Sequence, residues 1–494
     1  MQKLLSALAL STAIMLGQTP ARAAPADDAI AGWTSLGTYV FGTNATAGTG
    51  ETAIKNKTQL EGKFNYFQNN AAKVTIGSEV QRYTEGSAQT HVFAADRLNL
   101  TGVLGGGDAA YSGGFTNVFG QISGSIDVNN PVDPAQFGFP AGTKIEVGNM
   151  IVLQSRGIYR VDTVGSDGKI KLLALFNSNT ANPVTNALAV LTPFYALKLA
   201  QPTADNAAGT ATTMVFDTIP ASMPSGMAVG YVKDNAFQRN DDYRAVSVDK
   251  TTKTVTTQKK FVFISQPETY QNPAGQMMIF VPPIRSAQII AKDTFDLKNG
   301  DYAFDATVNY PQAVASRQVN TLPELNALPA NQPNGLWGAT WLYGKNTTPT
   351  PSSTDEIDIE SWFDFYKGPD IFSAFTHGGT ATQDFQLSND EWAPATADVG
   401  KGYLKRLTGP LVGDVRLTKV VRTSAGKVDT YVNGTLVDTK GYTWTNPNPA
   451  EFIVNLAVGS ISGSYAANVL FPLKPSNFNN MKFGIKRLAF YKKG

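Results

Sequence analysis

Short runs in which apolar and polar residues alternate dominate the chain after residue 30. Four such runs are Lys73–Ile76, Lys144–Val147, Thr252–Thr256 and Phe261–Ile264. A period of two places successive side chains on opposite faces of a β-strand, so each run predicts a strand with one buried face. No long stretch shows the helical period of 3.6 residues. The pattern predicts an all-β protein, built as a sandwich or jelly roll.

Turn-forming dipeptides separate the alternating runs. Asp167-Gly168, Asn299-Gly300 and Asn433-Gly434 each stand between apolar segments. These dipeptides favour the tight turns that connect antiparallel strands, because both residue types tolerate a positive φ. We therefore expect β-hairpins at these positions.

The texture of the chain changes between residues 113 and 269, which are rich in Ala, Pro and Val. A repeat lies here: Pro140-Ala-Gly142 precedes Tyr159-Arg160 by 19 residues, and Pro224-Ser-Gly226 precedes Tyr243-Arg244 by the same 19. The two copies are offset by 84 residues. We interpret 113–269 as an inserted or accessory β region of unassigned role.

The first residues have the features of an export signal. Lys3 supplies a basic start, Leu4–Gly17 is apolar, and Ala21-Arg22-Ala23 forms a small-x-small cleavage site. The apolar run is too short to span a bilayer as a mature helix. We expect a signal peptide over 1–23, and a secreted or periplasmic protein without a membrane segment after cleavage.

Composition removes several classes of function. The 41 Lys and Arg nearly balance the 39 Asp and Glu, without the basic excess typical of nucleic-acid binders. The chain has no cysteine, which excludes thiol nucleophiles and Cys-ligated zinc. His91 and His377 are its only histidines, so a multi-histidine metal site is nearly excluded.

The segment Thr354-Asp-Glu-Ile-Asp-Ile-Glu-Ser-Trp362 carries the candidate chemistry. In a strand, Glu356, Asp358 and Glu360 share one face, and the isoleucines between them enter the core. Three adjacent carboxylates repel one another, which makes this an unfavourable way to build a strand without a function. The alternatives are a solvated acidic face, or a calcium or magnesium site.

Glycoside hydrolysis needs paired carboxylates of this kind. One attacks the anomeric carbon, and the other donates a proton to the leaving oxygen. Crowding separates the titrations of such carboxylates, so that one is ionised and the other protonated. Glutamates four residues apart on a strand can lean towards one substrate, and convergence to about 5–5.5 Å gives retention of configuration.

The segment Glu356-Ile-Asp-Ile-Glu360 resembles the catalytic signature of glycoside hydrolase family 16, the β-jelly-roll endoglycanases. The resemblance implies Glu356 as nucleophile, Asp358 as its assistant and Glu360 as acid/base. It extends to other family-like segments: Glu79–Tyr83, Ile284–Ala287 followed by Gly300–Tyr302, Gly335–Trp341, Tyr431–Gly434, Phe452–Ala457 and Met481–Tyr491. A catalytic jelly roll over 33–112 plus 270–494 follows from this order.

The spacing within the signature bears on the branch of the family. Single residues separate the three acids, as in lichenases and xyloglucan-active enzymes, which predicts a strand without a β-bulge. Trp337 and Trp341 instead resemble those of laminarinases, so the substrate stays open between these branches.

Five further residues are candidates for binding sugar, because indole rings stack on sugar C–H faces and polar groups bond hydroxyls. Each also has a structural interpretation, as a core-packing tryptophan, a structural arginine or a surface histidine. The five candidates are Trp337, Trp341, Trp362, Arg285 and His377.

The sequence thus predicts a retaining endo-β-glycanase that hydrolyses internal β-1,3- or β-1,4-glucosidic bonds of a polysaccharide. We expect a monomer that needs no cofactor, with a structural calcium ion as an option. Transglycosylation on the same polymers is one alternative. A non-catalytic carbohydrate-binding jelly roll is another, and a surface structural protein is a third. The acidic triad argues against a lectin, which has no need of two opposed glutamates.

Overall fold

The structure is a computed structural model. It describes residues 29–66, 82–84, 88–104, 111, 113–154, 156–175, 182–202, 213–233, 236–238, 245–257, 274–310, 321–327, 336–344, 355–363, 371–374, 376–377, 380–386, 403–406, 413–458 and 482–494. The predicted signal peptide and the runs Lys73–Ile76 and Phe261–Ile264 lie outside these ranges.

Strands make up most of the described chain. The first seventeen are β1 Thr34–Phe41, β2 Thr52–Ile54, β3 Phe64–Asn65, β4 Arg82–Tyr83, β5 His91–Phe93, β6 Leu98–Thr101, β7 Val103–Leu104, β8 Val118–Gln121, β9 Ser125–Ile126, β10 Asn149–Leu153, β11 Gly157–Val164, β12 Ile170–Ala174, β13 Val184–Thr185, β14 Leu188–Lys198, β15 Thr213–Val215, β16 Ala228–Lys233 and β17 Ala236–Gln238.

The remaining strands follow in chain order. They are β18 Ala245–Asp249, β19 Thr254–Thr257, β20 Met277–Val281, β21 Ile284–Ser286, β22 Gln288–Phe295, β23 Tyr302–Tyr310, β24 Leu336–Gly344, β25 Glu356–Phe363, β26 Ile371–Ala374, β27 Thr376–His377, β28 Thr380–Gln386, β29 Tyr403–Arg406, β30 Gly413–Arg422, β31 Lys427–Val432, β32 Thr435–Thr443, β33 Ala450–Val458 and β34 Lys482–Lys492. In the described part of the chain, two short α-helices, α1 Lys57–Lys63 and α2 Leu322–Ala327, and two 3-10 helices, Pro134–Phe137 and Thr423–Ala425, accompany them.

Two sheets face each other across one apolar core. The first has the order β2-β1-β34-β23-β30-β31-β32-β28, with β5 and β6 alongside. The second, which we call the acidic sheet, has the order β29-β26-β25-β24-β33-β22-β3. Inward residues such as Leu417 and Ile485 of the first sheet share a core with Ile357 and Val454 of the acidic sheet. The β-jelly-roll sandwich predicted from the alternation is confirmed.

The middle of the chain, from β8 to β20, forms a third large sheet, and we call this part of the chain the middle unit. Its order is β12-β11-β10-β14-β20-β16-β17, and β8 also pairs with β14. Both faces of this sheet are buried: one continues the core of the sandwich, and the other packs on two separate clusters. The predicted β-rich insertion is therefore present.

The two separate clusters correspond to the two copies of the repeat. One gathers residues from Ile122 to Leu191, and the other from Tyr195 to Phe280. In the first copy Val132 bridges Ile170, and in the second Phe216 N donates to the carbonyl of Lys253, beside Thr254. Val132 and Phe216 are 84 residues apart, whereas the acceptors Ile170 and Lys253 are 83 apart, so the two pairings are similar but shifted by one residue.

The edges of the middle unit are defined by pairing. Met277–Val281 joins β14 and β16 and is therefore part of the middle sheet, although it lies beyond residue 269. Immediately outside, Leu104 of β7 is the cross-strand partner of Ile284 of β21. The chain thus enters and leaves the middle unit through adjacent strands.

The turn predictions have mixed outcomes. Asp167-Gly168 connects β11 to β12, and Asn433-Gly434 connects β31 to β32, both as hairpins. The hairpin expected at Asn299-Gly300 is wrong, because β22 lies in the acidic sheet and β23 in the opposite sheet. The strand expected at Lys144–Val147 is also wrong: the chain is a loop there and extends only from Asn149.

Within the described ranges, no helix is long and apolar enough to cross a membrane.

Candidate active site

The acidic strand β25 lies inside its sheet, between β24 and β26. Ile357 and Ile359 are fully buried in the core between the sheets. Asp358, with 6% of its surface exposed, and the half-buried Glu356 therefore point to the other face. The predicted alternation holds from Glu356 to Ile359.

The strand carries a β-bulge, so the prediction of an unbulged signature is wrong. Thr340 pairs with Glu360, but the next residue of β24, Trp341, pairs with Asp358. Ile359 is the extra residue. A bulge can form without an inserted residue because the register of β25 is set by its neighbours along its whole length, a constraint that spacing does not reveal.

The shift in register at the bulge changes the cross-strand partner of the second glutamate, Glu360. Glu360 stands opposite Thr340, whose side chain is fully buried and has the same parity as the core residue Leu342. The side chain of Glu360 lies outside the described part of the structure, so its assignment as acid/base stays a prediction.

Trp341 lies beside Asp358 on the acidic face, since cross-strand partners project to the same side of a sheet. Its Nε1 donates a 2.7 Å hydrogen bond to Oδ1 of Asn455, and Nδ2 of Asn455 donates to the hydroxyl of Tyr83 at 2.8 Å. Only 6% of Trp341 is exposed. The hydrogen-bonded indole is thus held firmly, as a wall of the site more than as an open platform.

Asp355 anchors the start of the acidic strand. Its buried carboxylate accepts hydrogen bonds from the main-chain N–H groups of Thr445 and Asn446, and from the hydroxyl of Thr445. A carboxylate held by several donors ties the loop after β32 to the residue preceding Glu356. Asp355 was not among the site residues predicted from the sequence, although it stands directly before the signature.

Two tyrosines near the acidic strand have raised pKa values. Burial, and secondarily the charge of Glu356, raises the pKa of Tyr343. Burial also raises the pKa of Tyr442, with added contributions from Asp355, Glu356 and Asp358. Both phenols therefore stay neutral at physiological pH and can donate hydrogen bonds near the carboxylates.

A lysine lies beneath the acidic strand. Lys419 of β30 is fully buried, and its Nζ donates a 2.7 Å hydrogen bond to the main-chain oxygen of Asp358. Lys419 was not among the site residues predicted from the sequence. A signal was present, because Lys419 interrupts the inward alternation of Val415, Leu417 and Val421.

The other predicted contacts are placed only by strand register. Trp337 pairs with Phe363, Trp362 pairs with Gly338, and His377 pairs with Glu356. The side chains of Trp337, Trp362 and His377 lie outside the described residues. Arg285 is half-buried in a small sheet of β4, β21 and β7, apart from the acidic sheet. The sugar-binding roles of these residues stay predictions.

No protein-family model and no curated protein matches the chain. Among solved structures, the endo-β-1,3-glucanase from Pyrococcus furiosus matches with 19% identity over 45% of this chain and 70% of that chain, at a TM-score of 0.28. The laminarinase catalytic domain from Thermotoga maritima MSB8 matches with 17% identity over 44% and 72%, at a TM-score of 0.28.

A glycoside hydrolase family 16 endo-glucanase from Bacteroides ovatus matches with 14% identity over 42% of this chain and 75% of that chain, at a TM-score of 0.27. The chain is similar to the family 16 glycoside hydrolases in its two-sheet β-sandwich and in its Glu-Ile-Asp-Ile-Glu strand.

Proposed function

We propose that the chain is a retaining endo-β-glycanase that hydrolyses internal β-1,3- or β-1,4-glucosidic bonds. The observation that carries this proposal is the acidic strand, in which Glu356 and Asp358 project to the face opposite Ile357 and Ile359. Carboxylates side by side on a rigid strand provide the groups required for glycoside cleavage.

In the proposed mechanism, Glu356 attacks the anomeric carbon and Glu360 protonates the departing oxygen. A covalent glycosyl-enzyme results, and Glu360 then deprotonates the water that hydrolyses it. Asp358 lies between them and would orient the nucleophile by a hydrogen bond. Trp341, fixed by Asn455, would wall the site beside Asp358. The reaction needs no cofactor.

The proposal includes a setting for this activity. The protein would be exported, lose residues 1–23, and act as a monomer on a polysaccharide outside the cytoplasm. The middle unit would be an accessory region that does not supply a catalytic group.

Polysaccharide cleavage tests the proposal. Mixed-linkage glucan, laminarin, xyloglucan and bacterial exopolysaccharides would be assayed for new reducing ends, with the products sized. We expect internal cleavage of at least one polymer, and loss of at least about 10⁴-fold in kcat for Glu356→Gln, because an amide cannot form the glycosyl-enzyme. Glu324→Gln, at an exposed glutamate of α2, is the matched control and should keep full activity.

Azide rescue tests the assignment of roles. Azide should restore turnover of an activated aryl glycoside by Glu356→Ala and give the inverted glycosyl azide, because the anion attacks from the vacated side. For Glu360→Ala it should give the retained product. Exchange of the two stereochemical outcomes would reverse the roles. Full activity in Glu356→Gln would refute the glycosidase.

A further inference from the structure

Lys419 occupies a position that is apolar in an ordinary sandwich core. Its neighbours at the same parity on β30, Leu417 and Val421, are buried core residues. Its cross-strand partners are Phe304 on β23 and Thr430 on β31, neither of them ionisable. A fully buried ammonium is costly unless other groups compensate its charge.

The ammonium reaches across the core to the acidic sheet. Its 2.7 Å bond ends on the main-chain oxygen of Asp358, directly before the extra residue Ile359 of the bulge. Strand carbonyls ordinarily bond within their sheet, and a bulge disrupts that ladder locally. Lys419 therefore supplies a donor from the opposite sheet at the point where the acidic strand departs from regular pairing.

The charges around the acidic strand are mostly negative. Glu356, Asp358 and Glu360 lie on β25, and Asp355 directly precedes it. Tyr343 of β24 and Tyr442 of β32 face them, both with raised pKa values, and His377 of β27 is the cross-strand partner of Glu356. Lys419 brings a positive charge to the core side of this strand, and opposite charges attract each other more strongly in a medium of low polarity.

We propose that Lys419 is a positioning residue of the active site, which holds the main chain of Asp358 at the bulge and keeps a positive charge behind Glu356 so that the nucleophile is ionised. This inference rests on the proposed glycosidase function. It adds a residue from the opposite sheet to a site otherwise built on the acidic sheet.

The pH dependence of kcat/KM separates this role from simple packing. In Lys419→Met, which keeps the length of the side chain without its charge, we expect the acidic limb to move up by about one pH unit and kcat/KM at low pH to fall about tenfold. Leu417→Met, a buried neighbour on the same strand and face, is the control, with the limb unmoved. A folded Lys419→Met variant with an unmoved limb would overturn the proposal.

Chemical rescue restores the amine alone. Because the chain has no cysteine, Lys419→Cys introduces a single thiol, which can be alkylated by bromoethylamine in denaturant before refolding. The product carries a side chain nearly identical to lysine. The limb should shift in the unalkylated variant and return after alkylation. If alkylation leaves the shifted limb where it is, the charge has no part in setting it.

A measurement without turnover distinguishes failure of this inference from failure of the proposed function. In ¹⁵N-lysine-labelled wild-type protein, the Nζ resonance of Lys419 should shift as Glu356 titrates, and this step should be absent in Glu356→Gln. This outcome supports the coupling even if no glycan is cleaved. If the Lys419 resonance is identical in both proteins across the acidic pH range, the coupling is refuted. This measurement does not depend on the Lys419→Met variant, so it decides the question even if that variant fails to fold.

Discussion

His91 shows how one buried side chain makes the whole molecule sensitive to acid. Its Nε2 lies 3.1 Å from the main-chain oxygen of Gln288, and its Nδ1 lies 3.1 Å from the hydroxyl of Thr90. A carbonyl can only accept, so Nε2 carries the proton and Nδ1 accepts from Thr90. Burial lowers the pKa of His91 to about 4; the bond to Gln288 opposes this, and the charge of Lys57 adds to it.

The stability of the protein should therefore fall between pH 6.5 and pH 4. The folded-state pKa is below the unfolded value, so the unfolded chain binds the proton first; the stabilisation is complete above pH 6.5 and is lost as the pH falls towards 4. We expect wild type to lose about 2 kcal/mol more than His91→Gln between pH 7 and pH 5. Urea unfolding of both proteins at the two pH values measures the difference, and equal losses would contradict it.

Individual residues differ in how far the sequence foretells them. The alternation placed Glu356 and Asp358 on one face and the isoleucines in the core, because side-chain parity is a local property of a strand. Lys419 contacts this strand from a position 61 residues downstream, and Asn455 of β33 holds Trp341 of the neighbouring strand β24. Such contacts depend on which strands become neighbours, and local periodicity holds no record of that.

At the scale of elements, the hairpin of β31 and β32 turns on two residues with positive φ: Asn433 at 49° and Gly434 at 80°. This is the conformation of a type I′ turn, which suits the twist of the strands. Oδ1 of Asn433 also accepts a 2.9 Å hydrogen bond from the main-chain N–H of Arg416 on β30. The turn therefore fixes the register of three strands.

Substitutions at Asn433 should measure the sum of these two contributions. Asn433→Asp keeps both the acceptor and the tolerance of positive φ, and we expect a change within about 0.5 kcal/mol. Asn433→Ala loses both and should cost about 2 kcal/mol. Thermal or urea unfolding reads both values. Equal stability of the two variants would show that neither the turn conformation nor the bond to Arg416 matters.

The same dipeptide logic fails at Asn299-Gly300, and the reason is physical. A turn forms just before this dipeptide, where the N–H of Asn299 donates to the carbonyl of Asp296, but neither Asn299 nor Gly300 adopts the positive φ of a tight hairpin turn. The following strand, β23, finds its partners in β30 and β34 of the opposite sheet. A turn signal specifies a reversal of the backbone and leaves open which sheet receives the next strand. The bulge at Ile359 eluded the spacing argument for a related reason, since register is set between strands.

At the scale of the whole molecule, the sandwich and the middle unit are separate in their hydrogen-bonded sheets and continuous in their apolar core. None of the ladders described for the two sandwich sheets includes a strand between β8 and β20. Yet the core cluster of the sandwich runs on into Val152, Val190 and Ile279. Helix α2 also touches the middle unit, where the N–H of Leu322 donates to Gln121.

Excision of the middle unit should succeed only at its structural edges. Replacing residues 105–283 by Asn-Gly joins the partners Leu104 and Ile284 through a two-residue turn, and we expect a folded sandwich of lower melting temperature. Deleting 113–269 instead leaves β20 without the rest of its sheet. Its residues Met278–Val281 are fully buried in the intact protein, so their exposure should make the chain aggregate. Soluble yield and thermal unfolding compare the two. The opposite ranking would place the boundary at residue 269.

The pairing of β7 with β21 also has a consequence for the order of folding events. Contact between Leu104 and Ile284 in an unstructured chain requires closure of a very long loop, with its entropic cost. Once the middle unit has formed, β8 and β20 both lie against β14, and the two chain ends emerge close together. The pairing of β7 with β21 is then nearly a local contact, although the two strands are far apart in the sequence. We expect them to pair about as fast as the two strands of a hairpin.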